Sequence, residues 1–86
     1  QILSRGMDSR LAALLLEEKS ISGSAALHTT HEQLARQLSS AREVVSRMLK
    51  YFQTEKLVSL SRGTITLLNE KALELLAEGS KRPHVK

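Results

Sequence analysis

"THEQLARQLSSAREVVSRMLKYF", Thr30–Phe52, contains two helix starts in quick succession, and the fold follows from how they are read. Thr30-His31-Glu32-Gln33 fits a capping box, in which the hydroxyl accepts from the third backbone amide and the glutamine reaches back. Leu34 and Leu38 lie on one face of that short helix. Ser40-Ala41-Arg42-Glu43 has the form of a second capping box. The "LSSA" between them, Leu38–Ala41, leaves room for a turn and little else. Two helices joined so closely make a helix-turn-helix.

The second helix is predicted over Ala41 to about Thr54. At about 100° per residue, Val45, Met48, Leu49 and Phe52 fall in one arc and face the core. Arg42, Glu43, Ser46, Arg47 and Lys50 occupy the opposite arc. Beyond Lys56, "LVSLSRGTITL" switches to a period of two. Val58 and Leu60 pair with Ile65 and Leu67, and Arg62-Gly63 forms a two-residue turn in which glycine supplies a positive φ. Asn69 caps a last helix through Ala77, ended by Gly79. Upstream, Leu11, Leu14 and Leu15 mark a helix over Ser9–Glu18. "SISGSAA", Ser20–Ala26, reads as a loop, and Ala26–Thr29 as a candidate short strand. The predicted fold is mostly α with a small β-hairpin wing, a winged helix-turn-helix.

A chain of 86 residues suggests one domain, spanning residues 9–79. Residues 1–8 precede that domain, and an apolar period (Leu3, Met7, Leu11, Leu14) is already running through them from the start of the chain. The chain is therefore expected to be part of a longer protein. Residues 80–86, "SKRPHVK", form a basic tail expected to be disordered. With no cysteine there is no disulfide framework and no thiolate metal site. Aromatics are 2% of the chain, so the core must be aliphatic. "LAALLL", Leu11–Leu16, is far too short for a membrane span, which needs about 20 residues. Arg5 and Arg10 ahead of it imitate a signal peptide, but "EEK" follows at once and a buried helix is the better reading.

The formal charge of +4 leans toward an anionic partner, and its placement says more than its size. An amphipathic second helix of this motif enters the major groove with its N-terminal residues at the base edges. Arginine can donate two bonds to guanine, and glutamate can accept from the cytosine amino group. Arg42, Glu43, Ser46 and Arg47 are therefore the base-reading candidates. Thr30, His31, Ser40, Lys50 and Arg62 are the phosphate candidates, which add affinity without sequence information. The bland alternative is a solvated face on which Glu43 serves only as the partner of Ser40, or pairs with Arg47 for ~0.3–0.5 kcal/mol. The helix before and the hairpin after the stripe favour DNA.

"THEQLARQLSSAREVVSRMLKYFQTEKLVSLSRGTITL" resembles the DNA-binding domain of Crp/Fnr regulators, and "MDSRLAALLLEE" resembles the helix that opens it. "REVVSR", Arg42–Arg47, fits both recognition signatures of that family: Arg42, Glu43 and Arg47 match one branch, and Glu43, Ser46 and Arg47 the other. The resemblance implies half-sites like TGTGA or TTGAT, with Arg47 on guanine and Glu43 on the opposite strand's cytosine. It also implies a cytoplasmic bacterial regulator whose partners are duplex DNA, a second copy of the full-length protein and RNA polymerase. No cofactor is expected in this chain, since the resemblance puts the effector in a separate N-terminal sensor domain, followed by a dimerisation helix of which residues 1–8 would be the tail. Three positions depart from the family pattern: Ser39 where glycine is frequent, Ala41 where a serine or threonine cap is usual, and Lys56 where glycine or asparagine is common. Ser40 is expected to take over the capping, and Lys56 to adopt a left-handed conformation.

Competing readings fare less well. No glycine-rich phosphate loop or paired-carboxylate motif supports an enzyme. His28 and His31 form H-x-x-H but lack the further ligands that zinc requires. A winged helix used for protein contact, or one from another regulator family, shares the architecture but does not explain "REVVSR".

Overall fold

In a computed structural model, residues 6–78 are described. The elements are α1 (Met7–Ser22), β1 (Ala26–Leu27), α2 (His31–Leu38), α3 (Arg42–Thr54), β2 (Val58–Ser61), β3 (Thr64–Leu67) and α4 (Glu70–Glu78). The strands form one antiparallel sheet in the order β1-β3-β2. The winged helix-turn-helix expected from the sequence is the observed architecture. Residues 1–5 and 79–86 lie outside the described residues, and with them most of the expected leading tail, the Gly79 helix stop and the basic tail.

The Thr30 capping box forms as predicted. The Gln33 amide donates to Thr30 Oγ1 at 3.1 Å, and the Thr30 amide donates to Gln33 Oε1 at 3.2 Å. Asn69 Oδ1 likewise accepts from the Ala72 amide at 3.0 Å and starts α4. The hairpin has the expected register, with Val58 opposite Leu67 and Leu60 opposite Ile65. Gly63 turns it at φ 69°, a region that disfavours a side chain. The short strand closes down to Ala26–Leu27, paired with Thr66 and Ile65.

Two expectations fail. The helix placed at Ser9–Glu18 extends over Met7–Ser22, so Ser20, Ile21 and Ser22 are helical rather than loop. The true stop is Gly23, left-handed at φ 76°, whose amide donates to Lys19 O at 2.7 Å. Second, Ser40 does not cap α3. Its amide is spent closing α2, donating to Ala35 O at 2.9 Å while the Ser39 amide donates to Arg36 O at 3.2 Å. This pair of bonds is a Schellman closure, with Ser39 in the left-handed position at φ 53°. The N-cap of α3 is therefore Ala41, which has no side-chain acceptor, and the helix begins at Arg42.

The end of α3 repeats the device. Lys56 is left-handed at φ 63°, as anticipated, and the Leu57 amide donates to Phe52 O at 2.9 Å. An oxygen at the bare N-cap should help. Ala41→Ser is expected to stabilise the domain by ~1 kcal/mol. The urea midpoint should rise at unchanged slope, and a fall would contradict the placement of Ala41 at the cap.

The core joins Leu11, Leu15, Leu34, Leu49, Phe52, Val58, Ile65 and Leu73, contributed by every helix and by both hairpin strands. Aliphatic residues dominate it, with Phe52 the largest buried side chain. Helices α1 and α4 pack together. Buried Ser9 donates its hydroxyl to Ala77 O at 2.8 Å near one end, and Lys19 pairs with Glu70 at 3.0 Å near the other. Arg10 fastens α1 to the helix-turn-helix by donating from Nη2 to Leu38 O at 2.8 Å, at the C-terminus of α2. No helix among the described residues is long and apolar enough to cross a membrane.

Candidate nucleic-acid interface

The amphipathic period of α3 decides which side chains stay outside. Val45, Leu49 and Phe52 are buried, so the arc carrying Arg42, Glu43, Arg47 and Lys50 is exposed, and Ser46 lies half-buried at its edge. Among the described residues, none of these four charged groups forms an ion pair within the domain. The pairs present are Lys19–Glu70 and Arg36–Glu32. Glu43 is thus neither the capping partner of Ser40 nor the ion-pair partner of Arg47.

Two flanking elements turn the stripe into a site. The N-terminus of α2 lies beside the first turn of α3, and the wing stands beyond it. Between them is an open cleft of about 530 Å³, bordered by Thr30, His31, Arg42, Ser61, Gly63 and Thr64. Arg42 therefore lines a space beside the α2 N-terminus, where unpaired amides favour an anion. The wing is held at this distance by α3 itself. Gln53 Oε1 accepts from the Leu60 amide at 2.9 Å, so the helix that carries the stripe also fixes the hairpin. On the other side, the Thr64 hydroxyl lies 3.3 Å from His28 Nδ1.

The fold thus brings Arg42, Glu43, Ser46, Arg47 and Lys50 onto one face, with Thr30 and His31 adjacent. Arg62 occupies the wing turn and Ser40 the turn between α2 and α3. Arg47 also borders a shallow groove of about 370 Å³ with Asp8, Val44, Met48 and Tyr51. Sequence reasoning missed two contributors and one contact. Arg10 and Gln53 act by clamping elements, and His31 contacts Ser46, its Nδ1 lying 2.8 Å from the hydroxyl oxygen. No spacing rule joins residues on different helices, so only the tertiary structure shows them. Burial, and after it the Arg42 guanidinium, hold the His31 pKa below its usual value, since both disfavour the charged ring. Among the described residues, no group of three potential metal ligands occurs.

The family of Crp-like helix-turn-helix domains matches residues 9–76. Solved structures agree. A protein described as a Crp/Fnr-family transcriptional regulator from Eubacterium rectale is 54% identical, with a TM-score of 0.85 over 86% of this chain and 34% of its own. A Crp/Fnr-family transcriptional regulator from Thermus thermophilus is 32% identical, with a TM-score of 0.82 over 88% of this chain and 42% of its own. The catabolite activator protein of the same organism is 30% identical, with a TM-score of 0.79 over 84% of this chain and 34% of its own. The chain thus spans well under half the length of these structures. No curated relative matches it.

Proposed function

The chain belongs to the Crp-like helix-turn-helix domains, and from that premise we propose that it binds duplex DNA sequence-specifically as the operator-reading part of a transcription regulator. The observation that carries this reading is the uncommitted stripe on α3, set between the α2 N-terminus and the wing. Helix α3 lies in the major groove, with Arg47 on guanine, Glu43 on the cytosine of the opposite strand, and Arg42 and Ser46 on neighbouring base edges. Thr30, His31, Ser40, Lys50 and Arg62 contact phosphates on either side. The domain works by binding rather than by catalysis and needs no cofactor of its own. Its place is the cytoplasm, where the chromosome lies.

The half-sites are TGTGA-like or TTGAT-like, arranged as a palindrome. The full-length protein binds as a dimer, with two recognition helices in successive major grooves about 34 Å apart, and contacts RNA polymerase from there. Fluorescence anisotropy against palindromes of each kind and against random duplex, at two salt concentrations, tests the reading. The expected result is tighter binding to one palindrome and steep weakening with salt, since neutralised phosphates release counterions. In Glu43→Ala the preference between palindromes should disappear while salt-dependent binding persists. Equal binding to all three duplexes would leave a nonspecific DNA binder. Absence of binding by the dimer at low salt would favour a wing used for protein contact.

A further inference from the structure

Of the four base-reading candidates, Ser46 alone has its side chain held by a hydrogen bond among the described residues, and His31 holds it. A serine hydroxyl has one proton to give and two lone pairs to receive. Whatever it uses toward His31 decides what remains for a base. When the ring is neutral with its proton on Nε2, Nδ1 accepts from the hydroxyl, and Ser46 turns lone pairs outward. When both ring nitrogens are protonated, Nδ1 can only donate. The hydroxyl then accepts, and its own proton is free to point at the groove.

We propose that His31 is a specificity-determining positioning residue, which sets through its bond to Ser46 whether that hydroxyl meets the base edge as an acceptor or as a donor. The inference rests on the DNA reading proposed above. It also links two kinds of contact. His31 borders the cleft assigned to the phosphates, and its Nε2 lies on the ring edge opposite Nδ1. In the neutral ring, a phosphate accepting from Nε2–H selects the tautomer whose Nδ1 accepts, so the backbone contact holds Ser46 as an acceptor until the ring gains its second proton. An acceptor suits the amino groups of cytosine and adenine. A donor suits guanine, or the carbonyl oxygen of thymine. Adenine offers both kinds of group, so cytosine and guanine are the bases that the two states separate.

The surroundings of the ring set when the states exchange. Arg42 on α3 and Glu32 on α2 are the charged groups bordering the same cleft. The wing presents Ser61, Gly63 and Thr64 there, all uncharged, and His28 approaches through Thr64. Burial and Arg42 favour the neutral ring, so in the free protein the charged form belongs to acidic solution. Duplex phosphates oppose Arg42 and move the exchange back toward neutral pH.

The test uses the 86-residue chain and a set of half-site duplexes in which every position carries each base in turn. Anisotropy is measured at about pH 8 and about pH 5, and read as ratios between duplexes rather than as affinities. At one position, the preference for cytosine over guanine should fall about three- to tenfold on acidification. His31→Asn keeps an amide able to bond Ser46 but has no titrating proton. It should retain a preference at that position and lose its pH dependence. Ser46→Ala should lose both, and its imidazole ¹⁵N spectrum should show His31 shifted from the parent tautomer balance. Ratios independent of pH at every position overturn the proposal. So does a pH dependence that survives in Ser46→Ala, or an unaltered ¹⁵N spectrum. Absence of any base preference in the parent chain would instead reject the DNA reading, and this inference with it.

Discussion

Phe52→Ala is expected to lower the unfolding free energy by ~3–5 kcal/mol, a large part of what a domain of this size possesses. Phe52 has 0% exposure and is the largest of the fully buried side chains. The neighbouring ring, Tyr51, lies 6.1 Å away centroid to centroid but is 52% exposed, so it faces solvent rather than the cavity. Phe52 also has a second duty, since its carbonyl accepts from the Leu57 amide in the closure that leads α3 into the wing. Loss of the ring therefore loosens both the packing of the recognition helix and the angle of the hairpin. Urea titration followed by circular dichroism measures the effect. A loss below ~1 kcal/mol would show that the site repacks and that Phe52 does not anchor the core.

The second large effect concerns Arg47, best seen beside Lys50. Both are exposed and one turn apart on α3, and truncating either should change stability by no more than ~0.5 kcal/mol. Their DNA effects should differ in kind. Arg47→Ala is expected to cost ~1–3 kcal/mol on the preferred palindrome and much less on random duplex, so discrimination shrinks while the salt slope is nearly kept. Lys50→Ala should weaken all duplexes alike and reduce the salt slope by about one. If the two variants behave identically, Arg47 is another phosphate contact and the base assignment is wrong.

What could be seen in the sequence was what local rules determine. Thr30 and Gln33 cap each other three residues apart and Gly63 suits its turn, whereas the left-handed Lys56 was legible only through the family resemblance. The Ser40 capping box failed for an instructive reason. Its four residues match the motif, yet its amide had already been claimed by α2, so a complete local pattern lost to the closure of the preceding helix. Ser20 to Ser22 misled through composition, since a serine-rich run can remain helical until a glycine permits the exit. The pairing of β1 with β3, the reach of Arg10 to Leu38, and the contact of His31 with Ser46 each join distant segments. Nothing in the spacing of those residues announces them.

The unpaired state of the stripe has a consequence over evolutionary time. Among the described residues, Arg42, Glu43, Arg47 and Lys50 form no ion pair, so each can be exchanged with little penalty to folding. A duplicated copy of such a gene can therefore drift toward a new operator by single substitutions, every intermediate still folded. Ser46 is the exception, because it shares its hydroxyl with His31. Those two positions are expected to change together, and lineages that alter one should carry a matching change in the other.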